Sequence, residues 1–247
     1  MIFSAAFLGA LGLMGPSEAR ASQNPWIKEA LGQQSASGSI AAALEARTMP
    51  GAPSFAELEK AVDEAVAVTG IRKDFLMGML VVESDLGRNQ GQCTYSQVEE
   101  QALDSHKKGK LSVKAWRTFE KRREIIKRFS KELGYDYHKV LVSCNPSNYA
   151  GTGGALGIAQ FMPDTWLEYE ERIARHTGAE NPDPWNFRHG VMAMALKLSD
   201  VPGVKEHETH SERNAAKLYL SGTTSYAYNW YANQILYWAA NYRSLVG

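Results

Sequence analysis

The sequence predicts a mainly α-helical domain with a helical insertion between its two cysteines. Three observations predict it. Apolar residues recur every three or four positions over most of the stretch from Ser54 onward. Start and stop signals flank several of those runs: the Ser54/Glu57 pair, Pro163, Gly70 and Gly178. No series of alternating residues reads as a sheet, and KVLVS at 139–143 is the one short strand candidate.

Taken in order, residues 2–14 are apolar or small, Pro16 ends the run, and Ala19-Arg20-Ala21 has the form of a cleavage site. Residues 1–21 read as a signal peptide; a truncated start or an uncleaved membrane tether is the alternative, because no Lys or Arg precedes the apolar run. Those apolar residues fall short of the roughly 20 that span a bilayer, so no stable membrane insertion is expected once the signal is cleaved. Residues 22–53, rich in Gly, Ala, Ser and Gln, read as a flexible linker.

Folded sequence is expected over 54–247. Phe55, Leu58, Val62, Ala65 and Val66 give the first helix its apolar stripe, which stops at Gly70. Asp74–Ser84 is apolar nearly all round and belongs at the centre of a core. Residues 111–133 alternate Trp116, Phe119, Ile126, Phe129 and Leu133 with many Lys and Arg, an amphipathic helix whose basic face reads as solvated. After a glycine-rich passage, helices are expected from Pro163 to about Gly178, through Phe187–Leu198, and from about Ala227 to Leu245. Trp238 and Tyr242 in the last of these read as core.

Formal net charge is zero, which argues against a broad electrostatic grip on nucleic acid. The six histidines form no metal-binding pair and no glycine loop has phosphate-binding form, so neither metal nor cofactor is implied. Cys93 and Cys144 are an even count that in an exported chain suggests one disulfide, worth about 3 to 4 kcal/mol by loop closure. Two separate buried thiols are the other reading.

One residue does not fit the helix that carries it. In LMGMLVVESDLGR, residues 76–88, Glu83 closes an apolar run. Apolar neighbours and the negative end of the helix dipole both disfavour its charged form, which is the state a general acid needs near neutral pH.

Three pieces then occur in order: VESDLG with Glu83, GALGIAQFMPDTW with Gln160, and LYLSG with Tyr219 followed by YANQIL with Tyr231. Together they resemble the lytic transglycosylases of bacterial cell walls, over roughly residues 54–247. The resemblance implies a lysozyme-like helical domain of the SLT or goose-type kind, acting on peptidoglycan glycan strands in the periplasm or cell wall. The long spacing from Glu83 to Gln160 is similar to the membrane-bound B-type branch. Residue by residue, it makes Glu83 the catalytic acid and base, with Ser84, Gln160, Tyr219 and Tyr231 as substrate-binding groups. Where common soluble members read Tyr-Asn-Ala-Gly, this chain has Tyr219-Leu220-Ser221-Gly222 and lacks the side-chain amide.

A hydrolysing glycosidase usually needs two carboxylates. Asp85 lies two positions on, across a helix from Glu83, and Asp164 and Asp183 have no spacing that recommends them. A single-carboxylate reaction fits better. A muramidase hydrolysing the same bond and a non-catalytic wall-binding protein are the alternatives.

Overall fold

A computed structural model describes residues 47–146 and 152–246. The expected signal peptide and most of the expected linker lie outside the described residues. The linker's last residues run along the domain. The Arg47 N–H donates to the Gly134 carbonyl at 2.8 Å, its guanidinium lies 5.0 Å from the centroid of Tyr135, and Met49 packs on the core.

The first helix, α1 (Phe55–Thr69), starts at the Ser54/Glu57 capping box and ends on Gly70 in the left-handed conformation. The next helix, α2 (Lys73–Ser84), buries every residue from Phe75 to Leu80, as an all-apolar surface requires. Cys93–Thr94 (β1) pairs antiparallel with Leu141–Val142 (β2), and Cys93 is disulfide-bonded to Cys144 with their Cα atoms 5.1 Å apart. Between them lie α3 (Tyr95–Lys107) and α4 (Val113–Leu133). The sheet and the disulfide close the root of a helical insertion. After the glycine-rich loop come α5 (Pro163–Thr177), α6 (Phe187–Ser199), α7 (Thr209–Ser221) and α8 (Asn229–Asn241).

The strand β1 was not expected, and three helical regions depart from the sequence reading. The expected 227–245 helix is divided: a 3-10 turn at Tyr226–Tyr228, capped by the Ser225 hydroxyl, precedes α8, and a second at Tyr242–Leu245 follows it. The helices α3 and α7 were not foreseen. Only Tyr95, Val98 and Ala102 of α3 are buried, too thin a stripe to register, although Thr94 and Gln97 form a capping box. In α7 the buried face includes Glu212 and Lys217, which breaks the apolar period. Arg72 makes the burial of Glu212 tolerable by gripping both carboxylate oxygens at 2.9 and 2.7 Å.

The core centres on α2 and α6. Helix α6 packs on α1 and α5, while α8 packs on α2 and α7. The approach of α8 to α2 is unusually close because Gly78 has no side chain. A Cβ there would sit 2.4 Å from the Ile235 carbonyl oxygen and 2.7 Å from the Ala239 nitrogen, both backbone atoms. Tyr242 is buried at the end of this interface and its hydroxyl donates to Asp74 at 3.1 Å, as its reading as core implies, whereas Trp238 is only half-buried.

Gly78→Ala is therefore expected to destabilise the chain by about 1–3 kcal/mol, the range for overpacking a close contact. In urea unfolding this would appear as a lower midpoint at unchanged slope; a midpoint equal to that of the native chain would show that the helices separate without cost.

Candidate active site

Glu83 leaves the core where α2 ends. Asp85 and Leu86, the residues after Ser84, both adopt left-handed backbone, with φ of 51° and 57°. That conformation is costly for a side chain such as leucine, and burial of Leu86 at 4% exposure supplies the packing that holds it. The sharp exit turns the chain away immediately after Glu83. The Ser84 hydroxyl is spent on this turn, donating to the Leu80 carbonyl at 3.2 Å and accepting from the Gly87 N–H at 3.2 Å. Ser84, at 1% exposure, thus supports the turn and has no surface facing the cleft.

The second piece is set by a tight loop. Leu156 bridges to both Val142 and Phe161, so residues 156–161 fold back on themselves. Gly157, at φ 55°, is pressed so closely against the Pro184 carbonyl that a Cβ would overlap it at 1.9 Å. Gln160 also takes a positive φ, 50°, and its amide nitrogen donates to the Gly157 carbonyl at 2.8 Å. Its side chain is thereby fixed along the wall of a cavity.

That cavity has a volume of about 270 Å³, and its lining includes Glu83, Gln160, Phe161, Lys197 and Tyr219. Arg122, Met162 and Thr165 from the insertion and the start of α5, and Leu218–Gly222 from the end of α7, complete it. Leu220, which replaces the amide of common soluble relatives, is one of these lining residues. Tyr231 reaches Glu83 from α8, and its hydroxyl donates to the Glu83 carboxyl. At 3% exposure its ring is core, so its contribution to the cleft is the hydroxyl and not a stacking face. Tyr219 is similarly buried, its hydroxyl donates to the Ala159 carbonyl, and its ring lies beside Phe161.

Burial is the largest influence on Glu83 and pushes its carboxyl up to about 7; the Tyr231 hydroxyl and then the Lys197 ammonium pull the other way. The helix dipole invoked from sequence acts in the same direction as burial. Among the described residues no carboxylate is one of the groups acting on Glu83. Asp85 is held by Arg88 through both oxygens, at 3.0 and 2.8 Å. Asp164 is held by Arg122 at 2.8 and 3.1 Å, and Asp183 accepts from the Tyr135 hydroxyl at 2.6 Å and the Trp185 N–H at 2.9 Å.

Sequence reasoning overlooked Lys197 and Arg122. Lys197 carried the same kind of signal as Glu83: it is the one charged residue in VMAMALKLS, a stretch otherwise buried throughout. Arg122 was hidden in a helix with many cations, among which it alone is buried, at 7% exposure.

The raised carboxyl has a consequence for stability. A folded chain that keeps its proton to about pH 7, against the ordinary 4.5, is favoured below pH 4.5, and the advantage is lost as pH rises through 7. Glu83→Gln stays neutral throughout. It is expected to be more stable than the native chain at about pH 8 by about 3 kcal/mol, with the difference closing in acid. Urea unfolding at about pH 8 and about pH 4 measures this, and equal stability at the higher pH would contradict the placement of Glu83 in a desolvated site.

Comparison with solved structures finds the Escherichia coli lytic transglycosylase Slt35 in complex with bulgecin A, 18% identical over 61% of this chain, with a TM-score of 0.45. It also finds a 36 kDa muramidase/transglycosylase, 17% identical over 59% of this chain, with a TM-score of 0.43. This chain spans 43% and 42% of their respective lengths. No curated protein matches. Residues 39–193, more than half of the chain, match the transglycosylase SLT domain, with Glu83 and Gln160 inside the matched range and Lys197, Tyr219 and Tyr231 beyond it; the chain belongs to that family.

Proposed function

We propose that the chain is a peptidoglycan lytic transglycosylase in which Glu83 serves as acid and then as base. The observation that carries this reading is a carboxyl pushed up to about 7 in a cavity where a phenol and an ammonium act on it and, among the described residues, no second carboxylate does. An acid with this proton affinity is matched to chemistry near neutral pH.

The glutamic acid proton passes to the glycosidic oxygen between N-acetylmuramic acid and N-acetylglucosamine as the bond from that oxygen to the muramic C1 breaks. The substrate's acetamido oxygen supports the developing cationic carbon. The glutamate then removes the proton of the muramic 6-hydroxyl, whose oxygen bonds to C1. The products are a 1,6-anhydro sugar end and a new N-acetylglucosamine hydroxyl, and no water is consumed. Tyr231 donates to the carboxyl throughout, which supports the charged form once the proton has left. Gln160, in the cavity wall, is the group we assign to sugar contact, and Tyr219, its hydroxyl engaged by the Ala159 carbonyl, shapes the wall beside it.

The long insertion and the GALGIAQFMPDTW form support placing the chain nearer the B-type branch. The N-terminal apolar run supports export to the periplasm or wall. Among the described residues no helix is long and apolar enough to cross a membrane.

Mass analysis of soluble muropeptides released from purified peptidoglycan tests the proposal. Ends carrying 1,6-anhydromuramic acid are expected from the native chain, with a loss of at least about 100-fold in Glu83→Gln. Reducing ends would indicate a muramidase, and release by neither protein a wall-binding function.

A further inference from the structure

Lys197 is a cation in a place that offers little to compensate it. Its neighbours on α6 from Val191 to Ser199 are all buried, and its ammonium lies 4.6 Å from the ring centroid of Tyr219 and 5.0 Å from that of Phe161. Among the described residues no carboxylate oxygen comes within 4.0 Å of it. Ring faces attract a cation, but they do not replace a counter-ion. The same cavity holds Glu83, which is neutral as an acid and becomes an anion on giving up its proton.

We propose that Lys197 is a positioning residue for the reaction, the counter-charge for the carboxylate that Glu83 becomes after proton transfer. This rests on the reading of Glu83 as the acid. With Glu83 protonated, the ammonium stands over two aromatic faces with no carboxylate of the described residues in contact with it. Once the proton has moved, ammonium and carboxylate share one poorly hydrated cavity, and their attraction favours the product side of the transfer. The field of Lys197 lowers the proton affinity of Glu83, and that of Glu83 raises that of Lys197, while burial depresses the latter overall. The other groups facing the pair are accounted for. Tyr231 of α8 bonds Glu83, and Tyr219 of α7 is a phenol held well above its ordinary range by burial. From α5, Glu168 and Asp164 act on Lys197 at longer range, and Asp164 is already engaged by Arg122 of α4.

A cation near the cleft also works against positive charge on the sugar carbon, so the rate alone carries no definite sign. The diagnostic quantity is the pH at which Glu83 titrates. It is read in the full chain from the carboxyl signal of 13C-labelled glutamate, assigned by its absence in Glu83→Gln. Lys197→Met and Lys197→Gln are expected to raise that midpoint by about one pH unit, and to move the alkaline limb of anhydro-product formation upward equally. Lys197→Arg, which keeps the charge, should stay near the native midpoint. The coupling is reciprocal, so Glu83→Gln, which is nearly isosteric, should lower the titration midpoint of Lys197 by a similar amount. A Glu83 midpoint unmoved in the neutral variants, or a Lys197 midpoint unmoved in Glu83→Gln, overturns the role of Lys197. If Glu83→Gln is also inactive, the acid assignment survives that failure; undiminished activity of Glu83→Gln overturns both.

Discussion

The cleft depends on how closely two helices cross. At Gly78 the backbone of α8 lies where a side chain of α2 would otherwise be, and both helices run from that contact toward the active site. Glu83 is five residues beyond Gly78 on α2, and Tyr231 is four before Ile235 on α8. One turn of helix on each side therefore separates a backbone contact from a hydrogen bond between the two side chains. A wider crossing would withdraw the phenol from the carboxyl. The loop that carries Gln160 follows the same logic, since Gly157 can seat against Pro184 only without a side chain. Packing at two glycines thus sets the distances at which polar groups face each other.

Within that frame the charge state of Glu83 is a contest with a clear winner. Burial outweighs the phenol and the ammonium, and the net shift from 4.5 to about 7 corresponds to about 3 kcal/mol between the two protonation states. Without the two opposing groups the carboxyl would hold its proton still more tightly and would be a poor donor at neutral pH. Without burial it would already be ionised. The apolar helix and the two polar partners are therefore parts of one device.

Much of this was legible in the sequence, and the losses have physical causes. Glu83 stood out because a carboxylate in an apolar run is costly, and the capping box at Ser54 and the glycine stops placed α1 and α5 closely. The motif GALGIAQFMPDTW marked the right loop, but Ser84 and Tyr231 play parts that the motif alone does not convey: a buried turn support and a hydroxyl donor. Sequence reports which residues are polar, whereas their partners depend on tertiary contacts such as that between α2 and α8. The same limit hid α7, where the buried Glu212 pairs with Arg72, far away in the chain, and Lys217 donates to the Thr224 carbonyl just beyond the helix.

The insertion has a part in the cleft that follows from its attachments. Its root is closed by the two strands and the disulfide, while its far helix, α4, is fastened to α5 by the paired Arg122 and Asp164. Arg122 and Thr165, which follows Asp164, both line the cavity. The insertion is thus a wall of the cleft, held at two points, and a lid free to swing would not keep a part-buried, bidentate ion pair at its edge. Glu83, Tyr231 and Lys197 come instead from α2, α8 and α6, which pack together without it. The acid and its partners therefore belong to the helical core, and the shape of the groove above them belongs in part to the insertion, so the two can vary separately within one fold.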